Sequence, residues 1–395
     1  MKLAPLLSAA WLAVAAMPGA AEVIERQQSV RPLPGGLDSV LMVNDNNPEL
    51  IEDDGILIST FPDGEAASVP VVLNGRFDLF SHHVYAGDAE GSPSSTLWLA
   101  VLAAPLGTAP VTLQLLAGST SLSQATGPGQ TQAPFLPLPS LMPETPDVVA
   151  SGPGSRVAGD LLAGRSAAEL TNRRWTLAPG KPTQLLLLPI PVAGLDPLLN
   201  GRNLQLRFHS SGPVAMATLA AHGEDGKAPS EQHWLQLLKD QRMSSKEHQP
   251  TPLGSKGKII YSRVSGVQIG SSWRARITDP DSPVLAAPTV PISWPISSLE
   301  RGTLATNQVQ TAELKSFYPG TAWAAHGNYG VEYDLTLPLK NTGAAAVTLQ
   351  LSLDSPLKGN STTSLLRFRD DLNGPVMFRG PVQTTGLEDP EGVSK

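Results

Sequence analysis

Proline or glycine interrupts this chain at short intervals from end to end, with 36 glycines and 37 prolines in 395 residues. Long helices cannot carry breakers at that density, because proline removes a backbone donor and clashes with the preceding turn, while glycine raises the entropic cost of ordering. Short strands joined by tight turns use both residues freely. The apolar residues follow the same logic. Segments 56–58, 71–79, 97–103, 111–116, 204–208, 331–339 and 347–353 are alternating or continuous apolar runs of strand length, bounded by Gly, Pro, Asn and Ser. At 41% hydrophobic residues, the chain has enough apolar surface for a packed core.

The expected fold is all-β, two tandem antiparallel β-sandwich domains. One helix is expected near their junction. Ser230 stands as its cap, Glu231 and Gln232 lie in the first turn, Trp234, Leu235, Leu237 and Leu238 share a broad face, and Lys239 closes it. The polar, proline-punctuated stretch 244–254 reads as a linker. It separates a first sandwich at 56–243 from a second, shorter one at 255–395, with an extended segment at 22–55 ahead of both.

The tandem reading rests on an internal echo. Residues 99–115 (LAVLAAPLGTAPVTLQL) superpose on 335–351 (LTLPLKNTGAAAVTLQL) at a constant offset of 236, sharing the pentad Val-Thr-Leu-Gln-Leu. Each copy reads as a hairpin turning at a glycine. Upstream, Phe80 precedes His83 by three residues and Gly87 follows it by four; Trp323, His326 and Gly330 repeat that spacing. The second copy has few residues after its last strand, so it is expected to lack its closing strands and to offer an edge to an extended partner or a second copy.

Met1-Lys2, an apolar run to Ala16 and the small-residue exit Gly19-Ala20-Ala21 make a secretory signal peptide at 1–21, too short to span a bilayer comfortably. No later run is long and apolar enough to span a membrane. With no cysteine, the chain has neither disulfide nor thiol nucleophile. The expected location is extracytoplasmic, a periplasm or cell surface. The excess of 35 acidic over 28 basic residues repels phosphate, which argues against nucleic acid as a partner.

Asp78, His82 and His83, with Trp323 and His326 as their counterpart, are the candidate ligand-binding residues. Asp78 and His82 share a strand face, whereas adjacent histidines point to opposite faces and cannot hold one metal from a regular strand. Histidines that orient a turn are the blander reading. Arg156 closes Gly152-Pro-Gly-Ser, either a turn or an anion-binding backbone nest. Asp45, Asn47 and Glu49 present oxygens at alternate positions, as a Ca²⁺ loop does, yet Leu50 and Ile56 stand where such a loop needs glycine and glutamate. A solvated loop is expected there. No Gly-x-Ser-x-Gly elbow and no His-Glu-x-x-His is present. We therefore assign no catalytic residue, metal site or cofactor from sequence.

Arg31-Pro-Leu-Pro-Gly-Gly-Leu-Asp38, Asn46-Asn-Pro-Glu49, Gly55-Ile-Leu-Ile-Ser-Thr-Phe-Pro62, Gly75-Arg-Phe-Asp-Leu-Phe-Ser-His-His83, Ser151-Gly-Pro-Gly-Ser-Arg156, Ser210-Ser-Gly-Pro-Val214 and Tyr318-Pro-Gly-Thr-Ala-Trp-Ala-Ala-His-Gly-Asn-Tyr-Gly330 occur in this order. The series resembles the cyanobacterial family catalogued as domain of unknown function 3370. That resemblance implies an exported protein with no assigned activity, and members that continue further after Phe378-Arg-Gly380. The expected function is a non-enzymatic, envelope-associated binding or structural protein whose partner is a glycan or another protein. The alternative is an extracytoplasmic hydrolase or metal-dependent enzyme built on Asp78, His82 and His83, with Glu332 or His326.

Overall fold

The computed structural model describes residues 23–62, 67–87, 95–124, 153–223, 227–357, 362–369 and 380–386. The signal peptide, Gly152 and most of the polar insertion after Gly87 lie outside them. In chain order the elements are β1 (Val23–Gln27), β2 (Ser29–Val30), β3 (Gly36–Leu37), β4 (Leu41–Asp45), β5 (Gly55–Ser59), β6 (Leu73–Ala86), β7 (Thr96–Pro105), β8 (Val111–Leu122), α1 (Pro153–Leu162), β9 (Arg174–Leu177), β10 (Thr183–Pro191), β11 (Leu199–His222) and α2 (Glu231–Lys239). They continue with β12 (Ser265–Ile269), β13 (Ser272–Arg276), β14 (Leu285–Ala286), β15 (Ile292–Ser293), β16 (Ala312–Phe317), β17 (Ala324–Ala325), β18 (Glu332–Thr336), β19 (Leu339–Lys340) and β20 (Leu365–Arg369). The fold is all-β with two short helices.

At its centre is β11, 24 residues long. Its first half pairs antiparallel with β6 on one side and β8 on the other, and its second half pairs with β7 and β5. The change of partners falls at Ser211-Gly212-Pro213, where the register shifts and proline has no N–H to give a ladder. One strand thereby passes from one layer of a sandwich to the other, as strands do at sandwich corners. Alternation then fills the interior. Phe77 and Leu79 of β6, Leu113 of β8 and Leu204, Leu206 and Phe208 of β11 form one core with Leu99, Val101, Leu188 and Ile190. The rings of Phe77 and Phe208 stack with centres 5.3 Å apart.

Strand β7 and the second half of β11 are buried on both faces. Their other face carries Ala100, Leu102, Ala217, Leu219 and Ala221, and Trp234 and Leu237 of α2 close over it. The alanines leave room for the helix to approach, and its start is as the sequence predicts, with Ser230 Oγ accepting from His233 N–H.

The first layer also grows sideways, from β6 to β4, β12, β16 and β17. Strands from both sides of segment 244–254 therefore share one sheet. The start of that segment is docked: Ser244 N–H donates to Ile56 O at 3.0 Å, and Ile56 N–H donates to Arg242 O at 2.7 Å. The N-terminal residues, read as an extended segment, pair with strands that follow α2, β1 with β20, β2 with β15 and β3 with β13.

Two features differ from the sequence expectation. Helix α1 occupies residues read as a proline-glycine turn. Gly154 and Gly159 weaken its propensity, but Pro153 sits at the first helical position, where a missing N–H is harmless, and Val157 and Leu161, four apart, are buried. The two copies of the echo also differ. The first is the β7–β8 hairpin; in the second, residues 347–351 belong to no strand and are exposed.

Candidate functional site

Regular alternation along β6 sends His83 into the core and His82 to the opposite face, as expected. His83 is fully buried. Its Nδ1 lies 2.7 Å from the Pro48 carbonyl oxygen and its Nε2 2.9 Å from Asp45 Oδ2. Both partners are oxygens, so the ring is held between the Asp45 carboxylate on one side and the Pro48 carbonyl on the other. Thr218 Oγ1 donates to the same Asp45 oxygen at 2.5 Å. One carboxylate thus joins β4, β6 and β11. Burial by itself would raise the Asp45 carboxyl, but His83, Lys246 and the Thr218 hydroxyl together hold it below the ordinary range.

Lys246 completes this interior cluster. It donates to the carbonyls of Asn47, at 2.8 Å, and of Leu57, and lies 5.1 Å from the centre of the Tyr318 ring. Burial pulls its pKa down to about 8, with Asp45 pulling the other way. The Tyr318 hydroxyl donates to Ala67 O at 2.8 Å and accepts from Ser59 N–H at 3.0 Å; burial pushes its pKa up.

This cluster corrects the expectation of a solvated loop at 44–49. Asn44, Asp45, Asn46 and Asn47 are all buried. The chain's own groups engage each of the three side chains that would face Ca²⁺, Asp45 through its Oδ2. Asn47 Oδ1 accepts from Glu247 N–H at 2.9 Å, its Nδ2 donates to the carbonyls of Glu247 and Arg263 at 3.0 and 3.2 Å, and Glu49 pairs with Arg263. Buried backbone needs partners, and here asparagine side chains supply them.

On the outer face, His82 Nδ1 lies 2.6 Å from Asn203 Oδ1 and Nε2 lies 3.2 Å from Glu49 Oε1. Burial, reinforced by nearby His83 and opposed by Asn203, lowers its pKa to about 4. Asp78 shares this face, as the sequence predicts, but four strand residues span about 13 Å, too far for the two to hold one ion or one reacting atom. Phe80 stands between them, stacked on Tyr329 at 6.1 Å. Asp78 is buried and paired with Arg76, while Arg207 opposite it binds Glu332 at 2.6 Å.

His326 sits apart. It is 7% exposed, with its ring 4.4 Å from that of Trp323 and 4.3 Å from that of Tyr261, centre to centre. Its ring nitrogens and Trp323 Nε1 have no hydrogen-bond partner among the described residues. Burial drives the His326 pKa to about 4. Arg156, on α1, donates through Nε to Ser121 Oγ at 2.8 Å and through Nη2 to Leu122 O. That contact pins the helix to β8. Burial lowers the Arg156 pKa.

The structure therefore distributes the sequence candidates over four places: His83 inside, Asp78 and His82 on the other face of β6 but separated, Trp323 and His326 elsewhere, and Arg156 on α1 against β8. Among the described residues no three histidines or acids converge as metal ligands. Lys246, Tyr318, Asn203 and Tyr261 escaped sequence reasoning as partners of these groups. Lys246 lay in the presumed linker, and nothing local marks it as buried.

An all-β sandwich riveted by interior charge pairs defines a structural class but no reaction. The chain belongs to the family described as protein of unknown function (DUF3370), whose profile matches residues 28–394. No curated protein and no solved structure matches it. Among the described residues no helix is long and apolar enough to cross a membrane.

Proposed function

We propose that this protein is exported, its leader removed after Ala21, and acts at the periplasm or cell surface as a non-enzymatic binding or structural sandwich whose partner is an envelope glycan or protein. One observation carries the reading. The acids and histidines that chemistry would need are tied in pairs on opposite faces of the sheet: Asp45 with His83, Glu49 with His82 and Asp54 with His222 between segments distant in the chain, and Asp78 with Arg76 within β6. Groups so arranged hold a fold together; a reacting centre needs them convergent within hydrogen-bond reach of one point. That favours binding over the hydrolase built on Asp78, His82 and His83.

The binding face in this reading is the aromatic group of Trp323, Tyr261 and His326. Half-buried Trp323 and Tyr261 offer ring surface to an apolar sugar face. The chain from Glu22 is mixed with purified peptidoglycan sacculi and sedimented. The expected result is co-sedimentation, weakened at least several-fold by Trp323→Ala with the fold unchanged by circular dichroism. A chain left wholly in the supernatant, or one that releases soluble sugar from the sacculi, overturns the reading.

A further inference from the structure

Segment 347–353, Val-Thr-Leu-Gln-Leu-Ser-Leu, has the strict alternation of a half-buried strand. Its first five residues are also the first five of β8, where they are interior: Val111, Leu113 and Leu115 are 6%, 0% and 5% exposed, with β9 on one side and β11 on the other. In the second copy, Val347, Leu349, Leu351 and Leu353 are 54%, 40%, 64% and 46% exposed. Among the described residues nothing pairs with their backbone.

This is not a fraying tail, because both ends are fastened. At the start, β19 pairs parallel with β14, Leu339 opposite Leu285 and Lys340 opposite Ala286, and Asn341 closes the turn that follows by accepting from Gly343 N–H at 2.9 Å and donating to Ala345 O at 2.8 Å. At the finish, Arg26 pairs with Asp354 at 3.2 Å, and Leu357 N–H donates to Arg367 O at 2.7 Å. Edge strands are normally blunted by charge, proline or a bulge. From Asn341 to Leu353 there is neither a charged residue nor a proline.

We propose that this segment is a homodimer strand, paired antiparallel with the same segment of a second copy. The pattern is self-complementary. Pairing about Gln350 sets Val347 opposite Leu353 and Leu349 opposite Leu351, so both apolar rows fall on one face of a closed, two-fold interface. Charge agrees. Each copy carries a net −7, so approach is least opposed along an uncharged stretch. The inference is independent of whether the protein binds glycan.

The chain contains no cysteine, which allows a clean test. Residues at the two-fold face each other across about 5 Å, within disulfide reach, whereas residues two positions away do not. Gln350→Cys in the full chain is expected to form a covalent dimer under mild oxidation, and Thr348→Cys is expected to remain uncrosslinked. Sedimentation equilibrium of the unmodified chain at about 50 µM, where a micromolar Kd leaves most chains paired, is expected to give a dimer. Leu351→Asp should weaken it at least tenfold. A monomeric unmodified chain, equal crosslinking of the two cysteine variants, or a dimer indifferent to Leu351→Asp overturns the proposal. Protection of the 347–353 amides from exchange in a monomer also overturns it, by showing that the chain covers the segment itself.

Discussion

Asp45 and His83 face one another with no exposure to solvent, each held by further hydrogen bonds to Thr218 and the Pro48 carbonyl. The mutual attraction of such a pair is largely offset by the cost of removing two charges from water, so its net contribution is small. Splitting it is another matter. His83→Ala leaves the buried Asp45 carboxylate without its nearest partner, with Lys246 as the remaining cation, and should destabilise the fold by about 3–5 kcal/mol, read from urea denaturation. Replacing both residues with uncharged ones should recover part of that loss. A shift under about 1 kcal/mol for His83→Ala would remove this pair as a rivet. His82, one residue away on the solvent side, carries no comparable expectation, because its ring is neutral at pH 7 and partly open to water.

The elements are joined where backbone meets backbone. Gly55 opens β5, and a Cβ there would lie 2.5 Å from Ser244 N and 2.6 Å from Met243 C. The chain leaving α2 can dock on β5 only because that atom is missing. Gly55→Ala should therefore cost about 1–3 kcal/mol, the range of an overpacked interior. Gly107→Ala, with nothing within 4 Å of the added carbon, should be nearly neutral by the same denaturation assay. Equal effects would mean that the docking is loose. Helix α1 teaches a related lesson: two glycines made its sequence look like a turn, and burial of Val157 and Leu161 outweighed propensity. Element existence was legible wherever period two ran long, as in β6, β7 and β11, and illegible where burial alone decided.

Whole-molecule stability should depend on pH through histidines that fold in the neutral form. His82 and His326 have folded pKa values of about 4, each lowered chiefly by burial from an ordinary 6.5. Between pH 6.5 and 4 the unfolded chain takes up protons that the folded chain refuses, so stability falls as pH falls through that window. The ceiling is ~3 kcal/mol for each ring. Asp45 works in a lower window: its depressed pKa lends stability above the ordinary carboxylate range, which is lost as pH drops through the folded value. Denaturation midpoints at pH 7, 5.5 and 4 should decline, and His326→Phe should flatten the decline by removing one of the two rings. A midpoint constant from pH 7 to 4 would contradict both assignments.

The class of fold, the start of α2, the opposite facing of His82 and His83 and the family are all readable along the chain, since breaker density, period two and capping act over a few neighbouring residues. What each polar side chain does depends instead on contacts made in the folded chain. Asp45, Asn47 and Lys246 look like surface residues in the chain, yet the first two are buried and Lys246 is half-buried, because β4, β6, β11 and the segment after α2 meet around them. The same pentad is interior in β8 and exposed at 347–351. Alternation specifies which side chains share a face; whether that face is covered depends on which strands arrive beside it, and those come from far along the chain.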